Sequence, residues 1–216
     1  MPGRRRTSSR FWATPLARWL ARRLAAERPP RIAIVGVGQE LRGDDTAGLA
    51  LVHALRPRLS GRDDVLLLDA GPSPENVTGA LRRFAPEVVL LVDAAALGVE
   101  AGATRALEWR ETGGVSATTH TLPVRLVAGF LEAELGCEVL LLGIQAASTG
   151  VGMPLSAAVR LAVQREARAL ARLLAVGGAE GGGGGAQRAR PAGTPERSGS
   201  AGAGAAAGRW RRYTNR

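Results

Sequence analysis

The sequence of 216 residues predicts an α/β domain with a largely parallel, five-stranded sheet between two layers of helices. Short runs of Val, Ile and Leu alternate with segments in which apolar residues recur at helical spacing. Continuous apolar runs are typical of strands that are covered on both faces, and their alternation with helices is typical of parallel sheets. Three successive runs end in or near an aspartate, which predicts a group of acids where ligands bind in such folds.

Residues 31–49 contain the first strand, a loop and the start of the first helix. The apolar run 32–35 meets Gly36 and Gly38, which let the backbone turn tightly. Asp44 and Asp45 follow, just before the helical pattern begins. Either acid can cap the amino end of that helix, but a cap needs only one of them. On this stretch alone, capping and a functional carboxylate are equal alternatives.

A dinucleotide-binding turn is a further interpretation of this loop. Gly36 and Gly38 match the first two glycines of G-x-G-x-x-G, but Leu41 stands at the third position. The two acids of the loop would also repel a phosphate group. Asp69 follows the second strand as a ribose-binding acid would, although at a later spacing. A non-catalytic nucleotide-binding α/β protein is therefore the alternative function.

The remaining elements continue the alternation. Further strands are predicted at residues 65–69, 88–93, 104–109 and 139–145, and 104–109 is expected at an edge of the sheet. Helices are predicted at residues 47–55, 77–84, 124–135 and 154–174. Because parallel strands place their carboxyl ends together, Asp45, Asp69 and Asp93 are expected to converge on one edge of the sheet.

The formal net charge of +10 belongs to the tails and not to the predicted domain. Residues 31–176 carry fourteen arginines and sixteen acids. Residues 1–30 carry eight arginines and one acid, and predict a basic extension with an amphipathic helix. This extension docks on the domain, lies on a membrane surface or has no particular role. Residues 177–216 predict a disordered tail rich in Gly, Ala and Arg. No nucleic-acid partner is expected, although a nucleic-acid or membrane tether acting through these tails is another alternative.

The cysteine count and the lack of targeting signals predict a cytoplasmic protein, expected to be a monomer. Cys137 is the single cysteine, which excludes an internal disulfide framework and fits a reducing compartment. It is expected to be a bystander and not a nucleophile. No stretch is long and apolar enough to span a bilayer, and arginines interrupt any apolar core of a secretion signal.

One of the two histidines is a candidate for a metal site. His53 lies among apolar residues of the first helix and is expected to have no special role. His120 lies in a Thr-rich loop that precedes Pro123. One imidazole with two strand-end carboxylates forms a ligand set that suits a divalent metal such as nickel, zinc or iron.

Several motifs occur in a fixed order: GVGQxxxGDDxAG at residues 36–48, DxGxxPEN at 69–76, VDA at 92–94, TTHxxP at 118–123 and GIQ at 143–145. In this order and spacing they resemble the hydrogenase maturation endopeptidases, most strongly those that serve hydrogenases of the formate-hydrogenlyase (hydrogenase 3) type. The resemblance covers roughly residues 31–175. It implies a twisted, mixed sheet between helix layers, and an aspartic-type endopeptidase that trims the carboxyl terminus of the large subunit after nickel insertion.

The resemblance also implies roles for individual residues. Three residues are expected to be both catalytic and metal-binding: Asp45, Asp93 and His120. The metal is expected to be nickel carried by the hydrogenase large-subunit precursor, so no tightly bound cofactor is expected in the enzyme itself. Asp44 matches no ligand and is expected to cap the helix. Gln39 and Thr46 depart from the family pattern, which usually has Asn and Gly there.

Overall fold

The computed structural model describes residues 20, 24, 28–108, 116–117 and 124–177. The strands are β1 (Ile32–Val37), β2 (Val65–Gly71), β3 (Val88–Ala96), β4 (Thr104–Glu108), β5 (Ser116–Ala117) and β6 (Glu138–Gln145). The helices are α1 (Ala47–Leu55), α2 (Thr78–Phe84), α3 (Val124–Leu135) and α4 (Ala157–Gly177). Most of the predicted tail 177–216 lies outside the described residues.

The five long strands form one sheet in the order β2-β1-β3-β6-β4. β1 is parallel to β2 and β3, and β3 is parallel to β6, whereas β4 pairs with β6 in the antiparallel direction at an edge. The predicted mixed, mostly parallel sheet is therefore confirmed, and so is the edge position of β4. The two residues of β5, which the sequence did not predict, pair antiparallel with the end of β3.

Two apolar clusters, one on each face of the sheet, form the core. Alternate residues of β3 enter different clusters because successive side chains of a strand point to opposite faces. Val88, Leu90 and Val92 pack with α1 and α4, whereas Val89 and Leu91 pack with α2 and α3. The predicted helix layers on both faces are therefore present.

The cluster beneath α1 and α4 also includes two residues from before β1. Leu20 and Leu24 are helical and buried in it. Arg28, which follows them, donates a hydrogen bond from Nη2 to Glu87 Oε1 at 2.6 Å. The described residues of the predicted extension thus contact the domain. Among the residues that the structure describes, no helix has the length and apolar character needed to cross a membrane.

Cys137 is buried in the second cluster, at the start of β6. Its thiol donates a long hydrogen bond of 3.7 Å to the carbonyl oxygen of Leu131. Burial raises the pKa of the Cys137 thiol, because the thiolate is poorly solvated there. The thiol is therefore a poor nucleophile, as the sequence predicted.

Arg62, in the loop before β2, forms an ion pair with Asp64 and a hydrogen bond to α4. Arg62 donates from Nε to Asp64 Oδ1 at 2.7 Å, from Nη2 to Asp64 Oδ2 at 2.5 Å and from Nη1 to the carbonyl oxygen of Leu174 at 2.7 Å. The hydrogen bonds from Arg62 hold the pKa of the Asp64 carboxyl below its usual value, although partial burial acts in the opposite direction. This pair therefore stabilises the fold above the aspartate pKa of the unfolded chain, and its contribution is lost as the pH falls through the folded-state pKa.

We expect Asp64→Asn to lower the free energy of unfolding by about 1 kcal/mol at neutral pH, the upper end for a partly exposed pair. The difference from wild type should shrink below about pH 4 and vanish in stronger acid, where both states are protonated. Urea unfolding of both proteins over a series of pH values measures this difference in the free energy of unfolding. The variant leaves the bond from Arg62 to Leu174 possible, so it isolates the ion pair. An equal difference at neutral and acid pH would contradict the assignment.

Candidate active site

Asp45 is buried at the carboxyl end of β1. It belongs to the 3₁₀ turn Gly43–Thr46, which joins β1 to α1, and its exposed fraction is 0%. The turn contacts β3, the neighbouring strand. A methyl group at Gly38 would lie 2.0 Å from the carbonyl oxygen of Asp45, so only glycine fits at that position. The local sequence thus holds the turn tightly against the end of the strand.

Two glycines bring α1 close to the sheet. A methyl group at Gly48 would lie 2.3 Å from the carbonyl oxygens of Val37 and Val92, and one at Gly36 would lie 2.4 Å from the carbonyl oxygen of Gly48. Gly36 thus serves helix–strand packing. The packing also fixes the start of α1, and with it the preceding turn, against β1 and β3.

Asp93 lies on β3, one residue beyond Val92. Its exposed fraction is 7%, and it is paired in register with Gly143 of β6. Side chains two residues apart on a strand point to the same face of the sheet. Asp93 therefore faces the same side as Val89 and Leu91, which is the side covered by α2 and α3. The strand of Asp93 and the turn of Asp45 are therefore in contact at the carboxyl edge of the sheet.

His120, the third predicted site residue, lies outside the described residues. The nearest described residue before it is Ala117 of β5, which pairs with Ala95 of β3. Within the ranges described, no group of three or more His, Cys, Asp or Glu residues is placed to hold a metal ion. Only Asp45 and Asp93 of the predicted set are thus placed by the structure.

Asp44 has a different role from the predicted helix cap. It is completely buried, and its Oδ2 accepts hydrogen bonds from the backbone N–H groups of Ala147 at 2.7 Å and Ser148 at 3.2 Å. Its Oδ1 accepts one from Ser156 N–H at 2.7 Å. No side chain caps the 3₁₀ turn or α1. The prediction was wrong because the partners of Asp44 are more than 100 residues away in the sequence, in the loop between β6 and α4.

The third strand-end acid, Asp69, contacts His53. Asp69 Oδ2 lies 3.0 Å from His53 Nε2, and Asp69 Oδ1 accepts a hydrogen bond from Gly71 N–H at 3.1 Å. His53 therefore has a specific partner, which the sequence did not predict.

The two residues that depart from the family pattern contact each other. The hydroxyl of Thr46 donates a hydrogen bond of 3.3 Å to the carbonyl oxygen of Gln39. This bond spans the loop that holds Asp45. The threonine thus supplies a contact across the loop that a glycine lacks.

A cavity of about 180 Å³ opens beside the end of β3. Its walls are mostly small residues: Ala95, Ala96, Gln145, Ala146, Ala147, Ser148 and Thr149. It begins two residues beyond Asp93, and its far wall is the loop that Asp44 anchors. The cavity and the two candidate acids therefore lie at the same edge of the sheet.

The side chain of Gln145, one of the residues that line this cavity, bonds to the backbone of the segment that follows β3. Its Oε1 accepts hydrogen bonds from Leu97 N–H at 2.7 Å and Val99 N–H at 3.4 Å, and its Nε2 donates to the carbonyl oxygen of Ala146 at 2.8 Å. The sequence marked Gln145 only as part of a motif. A polar residue that ends an otherwise apolar strand was the available signal for this role.

Comparison with known proteins gives consistent matches over the folded part of the chain. A family model described as hydrogenase maturation protease matches residues 49–173, which include Asp93 and His120. The hydrogenase 3 maturation protease of Escherichia coli K12 is 32% identical over 129 residues, which are 59% of this chain and 81% of that protein.

Two solved structures have the same fold. The crystal structure of the NiFe hydrogenase maturation protease HycI from Thermococcus kodakarensis has a TM-score of 0.65 at 32% identity, and the match covers 73% of this chain and 99% of that one. The solution structure of the endopeptidase HycI from Escherichia coli has a TM-score of 0.59 at 29% identity, with 68% and 93% covered.

Proposed function

Because this chain belongs to the hydrogenase maturation protease family, we propose that it removes the carboxyl-terminal extension of a nickel-containing hydrogenase large-subunit precursor after nickel insertion. The predicted resemblance to this family, including the hydrogenase 3 type, is confirmed. The nucleotide-binding alternative is set aside, since the chain belongs to a family of hydrolases and Gly36 serves packing.

The arrangement of Asp45, Asp93 and β5 carries the proposal. Ser116 and Ala117 pair antiparallel with Ala96 and Ala95, so the direction of β5 is back along β3 towards Asp93. His120 is three positions beyond Ala117 in the sequence, a separation that spans at most about 11 Å. This direction and this short distance support a common site formed by Asp93, His120 and the Asp45 turn.

Such a site suits the recognition of a metal that the substrate carries. Two carboxylates and one imidazole, without a thiolate, hold a free nickel ion only moderately. We propose that nickel in the precursor is the ligand of this site and that Asp45, Asp93 and His120 test for its presence. The enzyme then needs no tightly bound metal of its own.

For the reaction we propose an aspartic-type hydrolysis. The carboxylate of Asp45 or Asp93 takes a proton from water, whose oxygen attacks the carbonyl carbon of the peptide bond. The proton then passes to the leaving nitrogen, the C–N bond breaks, and a new carboxyl and a new amino terminus are released. Polarisation of the carbonyl by the substrate's nickel is the alternative source of activation.

The remaining assignments belong to the same proposal. We assign residues 31–176 to the peptidase domain, with the extension 1–30 and the tail 177–216 outside the site. The partner is the large-subunit precursor, and the enzyme acts as a cytoplasmic monomer.

The test compares nickel-loaded and nickel-free precursor. We expect the purified protein, without added metal, to shorten the loaded form and to leave the nickel-free form intact, because only the loaded form offers a metal to the three ligands. The mass of the large subunit measures the cut. Nickel-free precursor that is reconstituted with nickel is the control and should be cut. Equal cleavage of both forms would remove the recognition role from these residues.

A further inference from the structure

Three large apolar side chains are exposed beside the candidate site. Leu41 is 78% exposed, Val151 79% and Met153 52%. Single exposed apolar residues are common on protein surfaces, but adjoining ones mark interaction sites. We call these three residues the Leu41 patch. They lie on two segments of the chain that are hydrogen-bonded to each other.

Hydrogen bonds join the two segments that carry the patch. Gly152 N–H donates to the carbonyl oxygen of Leu41 at 2.7 Å, and Gly43 N–H donates to the carbonyl oxygen of Met153 at 2.9 Å. The buried carboxylate of Asp44 holds the same two segments together from beneath. These hydrogen bonds therefore hold the two loops that carry the patch in a fixed arrangement.

The backbone at Leu41 is strained. Its φ angle is 61°, in the left-handed region that side chains other than glycine rarely adopt. This conformation costs about 1–2 kcal/mol for a residue with a Cβ atom. A leucine that is both strained and exposed adds nothing to the core, and strain of this kind is typical of functional positions.

The patch is continuous with the candidate active site. The loop that carries Leu41 leads into Asp45. The loop that carries Val151 and Met153 also supplies Ala147, Ser148 and Thr149 to the cavity at the end of β3. A chain that lies in this cavity with its scissile bond at the acids is therefore adjacent to the patch.

We propose that the Leu41 patch docks an apolar stretch of the hydrogenase large-subunit precursor, and so positions the precursor for cleavage. This inference rests on the proposed function. A second copy of the chain is a poorer occupant, because three side chains expose on the order of a few hundred Å², whereas a stable dimer needs about 800 Å² from each partner. A small patch fits a substrate that must leave after each reaction.

Leu41→Gly, Val151→Ser and Met153→Ser test the proposal, with Leu161→Ser as the matched control. Leu161 is 64% exposed but lies on α4, outside both segments. We expect each patch variant to raise the KM for nickel-loaded precursor at least fivefold with little change in kcat, and Leu161→Ser to change neither. Leu41→Gly should also unfold at the same urea concentration as wild type or a higher one, since glycine relieves the strain.

The outcomes separate this inference from the proposed function. If wild type cuts the precursor and the patch variants keep its KM, the docking role is wrong and the proposed function stands. If wild type does not cut the nickel-loaded precursor, the proposed function fails, and the docking role fails with it. Sedimentation of wild type as a dimer that Val151→Ser dissociates would assign the patch to a second copy instead.

Discussion

Asp45→Asn and Asp93→Asn are each expected to lower the rate of precursor processing by at least about 100-fold, as losing a general acid or base does. His120→Ala should have the same effect through loss of the nitrogen ligand. Asparagine keeps the shape of aspartate but cannot accept a proton from water at neutral pH. Asp45 and Asp93 are buried, and a buried carboxylate costs more to desolvate than an amide. These two variants should therefore remain folded.

The mass of the large subunit after incubation with nickel-loaded precursor measures processing, and circular dichroism with urea unfolding measures the fold. Asp64→Asn is the matched control: it removes a carboxylate from the loop before β2, at the opposite end of the strands, and should leave processing unchanged. Full processing by folded Asp45→Asn would exclude Asp45 from the site, while loss of processing together with loss of fold would make its role structural.

Much of the fold could be predicted because it depends on local patterns. Continuous apolar runs marked β1, β2, β3 and β6, and the acids in or near the ends of the first three runs marked the edge where the cavity lies. Periodic apolar residues marked α1 and α4. These patterns follow directly from which faces of an element are buried, so they are visible without knowledge of the partners.

Other features depend on contacts that are distant in the sequence. Asp44 has the position of a helix cap, but its acceptor atoms are used by Ala147, Ser148 and Ser156. The left-handed backbone of Leu41 carries no sequence signal, since glycine or asparagine is the usual residue in that conformation.

The short strand β5 also escaped prediction. It has only two residues, and its pairing with β3 exists because β1 ends earlier, at the register Gly36 opposite Val92. The end of β3 beyond Val92 is left without pairing to β1 only once the sheet has assembled, so the local sequence does not reveal it. A pattern of two residues, Ser116 and Ala117, has no periodicity that distinguishes a strand from a loop.

Asp44→Ala is expected to destabilise the protein far more than the loss of a helix cap, which costs about 1 kcal/mol. The change leaves three backbone N–H groups without their carboxylate acceptor, and each buried donor left unsatisfied costs about 1–3 kcal/mol. We therefore expect the free energy of unfolding to fall by about 3 kcal/mol or more. Asp44→Asn should also be destabilising, because its amide group would place N–H donors against the N–H groups of the loop.

Urea unfolding measures the loss, and hydrogen exchange locates it. The amides of Ala147 and Ser156 should exchange faster in Asp44→Ala even under native conditions, because their loop opens before the rest of the protein unfolds. Asp63→Ala, which removes an exposed acid, is the matched control and should change the free energy of unfolding by less than about 0.5 kcal/mol. A loss of only about 1 kcal/mol, with unchanged exchange at these two amides, would show that Asp44 does not hold this loop.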